Sequence, residues 1–108
     1  MMMDESEKSK RVIAQYEQDE RTMVLIFAQW CVNHDLEPVH VYHEAYPNQQ
    51  PNPLLLEVLD ETVPKTESED ISIDIVLYVL QMFGNDDLAF VVQQKAEQVK
   101  EKSSKNRN

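Results

Sequence analysis

The chain has 108 residues, 42% of them apolar and 28% charged, which is one domain's length with enough apolar content for a single modest core and too much for full disorder. Residues 21–94 hold twelve acids against Arg21 and Lys65, a stretch that by itself carries the whole net charge of −10. Such a surface repels phosphate, so neither nucleic acid nor an anionic membrane is expected as a partner.

Only one glycine occurs, and sandwiches and barrels need many positive-φ turns, so the expected fold is all-α, a compact bundle of four to five helices. Residues 1–10 are expected to be a disordered N-terminus, 11–100 a single helical domain and 101–108 a flexible basic tail. From Arg11 a weak helical pattern (Val12, Ile13, Tyr16) leads into a strong one, with Met23, Val24, Phe27 and Cys31 on one stripe and Trp30 beside it. Asn33 and His34 fall where this first helix should end. Glu37-Pro38 opens a short second helix and Pro47 stops it at Tyr46, because proline suits a first turn and cannot continue a helix. Residues 48–53, NQQPNP, read as a loop. Asn52-Pro53 is a cap followed by a first-turn proline, introducing LLLEVLDETV, which Pro64 should terminate.

The segment ISIDIVLYVLQMF, residues 71–83, reads two ways. Ile71, Ile73 and Ile75 alternate as in a strand. Ile73, Val76, Leu77, Leu80 and Phe83 make a helical stripe, Thr66 to Glu69 fits a capping box, and Gly84 suits a helix C-terminus. The absence of a second well-bounded strand favours the helix. Asn85-Asp86-Asp87 then caps a last helix whose lysines lie toward its C-terminal end. The expected core is Phe27, Cys31, Leu55, Leu59, Val76, Leu80, Phe83, Leu88 and Val91.

Chemistry-bearing residues are concentrated in VHVYHEAYP, residues 39–47. On a helix, Val39, Val41, Tyr42, Ala45 and Tyr46 share one half-circle and His40, His43 and Glu44 the other, which makes both histidines solvated. The sharper alternative is a zinc-stabilised module, since Cys31, His34, His40 and His43 follow the spacing C-x2-H-x5-H-x2-H and zinc takes these ligand types. It would require Cys31 to leave its apolar stripe and both His40 and His43 to turn inward. No catalytic residue is assigned and no enzyme is expected. One glycine permits neither a phosphate loop nor a nucleophile elbow, and a thiol in an apolar stripe is not activated. No cofactor is expected.

Two features suit a protein partner. Trp30, Tyr42 and Tyr46 flank the first interhelical loop, where they either anchor an interface or close a small core. Glu57, Asp60 and Glu61 belong to an acidic cluster that continues through Glu67, Glu69, Asp70 and Asp74. That cluster either receives a basic partner or simply keeps the chain soluble. Homo-oligomerisation is a further expectation, because IVLYVLQMF is more apolar than one face of a small bundle requires. One cysteine excludes an internal disulfide framework and fits a reducing compartment. The start MMMDESEKSK is acidic where a signal peptide would be basic, and the longest apolar runs have six residues, against about 20 for a bilayer span. A cytoplasmic location is the expectation.

The block LIFAQWCVNHDLEPVHVYHEAYPNQQPNPLL, residues 25–55, resembles small uncharacterised proteins of spore-forming Gram-positive bacteria. It covers about a third of the chain, carries no motif of known chemistry and implies no functional residue. The expected function is that of a non-enzymatic cytoplasmic interaction module, a small acidic adaptor or regulator.

Overall fold

The computed structural model describes residues 20–105. Among them are five helices and no strand: α1 (residues 20–33), α2 (Pro38–Ala45), α3 (Pro53–Leu59), α4 (Ile73–Met82) and α5 (Asp86–Lys105). The N-terminal residues expected to be disordered, the weak helical onset at Val12, Ile13 and Tyr16, and the tail beyond Lys105 lie outside the described residues. The α5 helix itself continues past Lys100 to Lys105, into the segment expected to form the tail.

One buried cluster draws on all five helices: Phe27, Trp30 and Cys31 from α1, Val41 from α2, Leu55 and Val58 from α3, Val76 and Leu80 from α4, and Leu88 and Val92 from α5. Burial of these apolar side chains is the main term holding so small a bundle together. Helix α5 is the common wall, packing against both α4 and α2, while α2 also packs against α3. Leu59 and Phe83, expected in the core, are only partly buried and pack against its edge.

Local chemistry sets most of the boundaries. At the end of α1, Asp35 takes a left-handed φ of 59°. The Leu36 N–H donates to the Cys31 carbonyl (2.8 Å) and the Asp35 N–H to Val32 (3.1 Å), the double closure of a Schellman motif. The end of α4 repeats the arrangement with Gly84 at φ 75°, the Asn85 N–H reaching Leu80 (2.8 Å) and the Gly84 N–H reaching Gln81 (3.0 Å). Pro38 and Pro53 occupy the first turns of α2 and α3, and the Asn52 side chain accepts the Leu54 N–H at 2.9 Å.

Two expected boundaries are corrected. Helix α3 ends at Leu59, well before Pro64, because Val63 is engaged elsewhere. Its N–H donates to Gln29 Oε1 (2.9 Å) and its carbonyl accepts from Gln29 Nε2 (2.9 Å), leaving neither group for a helical ladder. Helix α4 starts from Ser72 rather than Thr66: the Ser72 hydroxyl accepts the Asp74 N–H at 3.2 Å. Residues 65–68 are instead a turn and bend. Asn33 holds that region, its amide donating to Ser68 Oγ (3.2 Å) and to the Glu69 carbonyl (3.3 Å).

Candidate functional site

The histidine-rich helix divides as its spacing predicts. Val41 is buried and His40 and His43 are exposed. His40 retains 67% side-chain exposure and lies 3.5 Å from Glu44. Glu44 also accepts a hydrogen bond from Lys95 Nζ at 3.0 Å, so this acid, expected to be free in solvent, ties α2 to α5.

The four proposed zinc ligands do not converge. Cys31 is completely buried, and desolvation in the apolar core pushes its thiol far above its ordinary range. That keeps it protonated and poor both as a ligand and as a nucleophile. His34 packs instead against Trp30, ring centroids 4.7 Å apart. Among the described residues no three His, Cys, Asp or Glu side chains are gathered as a metal-binding set.

The proposed aromatic patch also separates. Trp30 is 2% exposed and belongs to the buried cluster, so it is a core residue and not a surface anchor. Tyr42 and Tyr46 pack ring against ring at a 58° tilt, centroids 5.0 Å apart. The Tyr46 hydroxyl donates to Asn85 Oδ1 at 3.1 Å. Burial is the main influence raising the Tyr46 phenol above its ordinary pKa; the carboxylates of Asp87 and Asp86 add to it, against a hydrogen bond from the Leu88 backbone. Tyr46 thus joins the end of α2 to the start of α5. Of the acids, Glu57, Asp60 and Glu61 are exposed as expected, and Glu61 is already paired with Arg21.

The feature best shaped for a ligand lies elsewhere. A groove of about 660 Å³ runs between the approach to α4 and the second half of α5. Ile71, Ile73 and Leu77 line one side and Ala96 and Val99 the other, with Trp30 contributing from α1 and His34 from the turn after it. Asp70, Asp74 and Glu97 also border it, opposed among the described residues by Lys100. An apolar trough edged by one sign of charge suits an amphipathic helix carrying the opposite sign. Reading the sequence missed this groove, since its walls come from segments some twenty to seventy residues apart. The one available signal was the apolar excess of residues 71–83.

The fold and this groove define a class: a small acidic helical protein with an apolar, acid-edged trough between α4 and α5. Within that class, the YxiS family profile matches residues 4–97, and the chain belongs to that family. It is 52% identical over 81 residues to the uncharacterized protein YxiS of Bacillus subtilis (strain 168), an alignment covering 74% of this chain and 84% of that protein. This agrees with the resemblance carried by residues 25–55. No solved structure matches the chain. No described helix is long and apolar enough to cross a membrane.

Proposed function

We propose that this protein is a non-enzymatic interaction module of the cytoplasm that seats a basic, amphipathic segment of another protein in the groove between α4 and α5. The observation that carries the reading is the pairing of an apolar trough with Asp70, Asp74 and Glu97 at its edge, in a chain of net charge −10. A partner helix would press one or two turns of apolar side chains against Ile73, Leu77 and Ala96. Its flanking lysines or arginines would meet the acids. Each buried aliphatic contributes about 1.5–3 kcal/mol before the cost of association, so a weak, regulated complex fits better than a permanent one. The sealed thiol of Cys31 supports a role without covalent chemistry.

The lone tryptophan provides the readout, because Trp30 borders the groove. A synthetic Leu/Lys helical peptide of about 14 residues, long enough to form a helix on docking, is titrated against the full chain. Trp30 emission should change and saturate at one peptide per chain, and binding should weaken as salt is added. Leu77→Asp should abolish the change, while Glu57→Lys, on α3, should leave it nearly intact. Equal losses from both substitutions would mean that the peptide merely condenses on an acidic surface, and the groove reading would fall. So would an absence of any response.

A further inference from the structure

We propose that α4 has a second use, opposite the groove: its outer face pairs with the same face of a second copy of this chain, forming a two-fold symmetric, reversible dimer. This stands apart from the groove reading and does not depend on it. Helix α4 buries Val76 and Leu80 inward, yet Ile75, Tyr78 and Met82 are 52%, 66% and 58% exposed. At 100° per residue these three fall on one stripe, with the partly buried Val79 at its inner margin. They cover two turns of helix. Exposed apolar side chains scattered singly need no explanation, but three large ones in register on one helix mark a contact surface.

Charge decides what covers it. The run from Ile75 to Asn85 contains no Asp, Glu, Lys or Arg, in a chain where such residues make up 28%. A basic partner finds nothing to pair with here and is drawn instead to the acids around the groove. Two copies, each carrying −10, repel one another through most of their surfaces. They can approach closely only where charge is missing, and this stripe is such a place. It is also uncharged and apolar on both copies, which is the self-complementarity an isologous contact requires.

Asp74 selects the orientation. Parallel packing would set the two Asp74 carboxylates side by side. Antiparallel packing centred on Tyr78 separates them by about 12 Å along the axis, from eight residues' worth of a 1.5 Å rise. That exceeds the Debye length of about 8 Å at physiological salt. Two turns of stripe bury a few hundred Å² per chain, short of the roughly 800 Å² per partner of a standard stable interface. The dimer is therefore expected to dissociate on dilution.

Analytical ultracentrifugation of the full chain between about 1 μM and 1 mM, bracketing affinities expected of a small interface, tests this. The mass should rise from one chain toward two and go no further. Added salt should strengthen association, the reverse of its effect on the basic peptide, because it screens like-charge repulsion. Tyr78→Glu and Met82→Glu should each weaken the dimer at least tenfold, with helicity and Trp30 emission unchanged. Leu56→Glu, which adds the same charge at an exposed site on α3, should not. Tyr78→Cys should cross-link to its counterpart on oxidation, since the native Cys31 is buried, whereas Leu56→Cys at the same concentration should not. A chain that stays monomeric at the highest concentration, open-ended association, or a dimer as sensitive to Leu56→Glu as to Tyr78→Glu would each overturn the proposal. Failure here leaves the peptide titration untouched, and the reverse also holds.

Discussion

Two residues with positive φ close two helices of this bundle, and they are not equivalent. Gly84 adopts φ 75° with nothing within 4 Å of where a Cβ would stand, so a side chain there meets no steric clash and suffers only from backbone strain. Asp35 adopts φ 59° with a Cβ in place, a conformation Asp tolerates better than most residues. It also pairs with Lys65 at 2.7 Å in an exposed ion pair, of a kind that contributes about 0–1 kcal/mol. Gly84→Ala should cost about 1 kcal/mol, since the native conformation is one alanine resists. Asp35→Gly should cost nothing or stabilise slightly, because relief of the left-handed backbone offsets loss of the ion pair. Denaturant unfolding of both variants checks the contrast. Equal destabilisation would mean that Asp35 holds its turn through its carboxylate and not through its backbone.

Between elements, the least conspicuous contact is the one from Gln29 to Val63. Gln29 is nearly buried on α1, where an unpaired amide would be costly. It satisfies itself by bonding both backbone groups of Val63 and also donating to Asn33 Oδ1 at 3.0 Å. With Asn33 one turn later reaching Ser68 and Glu69, the two amides clamp the connection between α3 and α4 along α1. That clamp helps to determine where Ile71 and Ser72 enter α4, and hence one wall of the groove. Gln29→Ala should lose about 1–2 kcal/mol and raise hydrogen exchange at the Val63 amide. The peptide affinity of the groove should fall with it. Unchanged protection at Val63 would show that the connection is held by its own turns.

For the molecule as a whole, charge is the property that sets its response to conditions. Twelve acids face two bases across residues 21–94, and the ion pairs that do form, such as Arg21 with Glu61 and Lys95 with Glu44, engage only some of the acids. The rest repel within a small compact volume, which destabilises the folded state at low ionic strength. Raising salt from about 10 mM to 150 mM, which shortens the screening length from roughly 30 Å to 8 Å, should raise the melting temperature by several degrees. One kcal/mol corresponds to about 4–8 °C for a domain this size. A melting temperature that falls with salt would instead make the few ion pairs dominant over the net repulsion.

Spacing, caps and proline placement by themselves determined the helical class, the order of the elements, the Asn52-Pro53 start of α3, the Gly84 stop of α4 and the exposure of His40 and His43. These follow from interactions within a few residues, which a linear pattern records. The tertiary structure decided what depends on distant partners. Gln29 cut α3 short by claiming Val63, Ser72 displaced the expected capping box at Thr66, and Trp30 took the core place that its sequence position had left open beside an interface role. The groove has the same origin, since Ile71 and Leu77 meet Ala96 and Val99 only after α4 folds back on α5. No periodicity within either segment encodes that meeting, because its energy comes from surfaces that chain closure brings together.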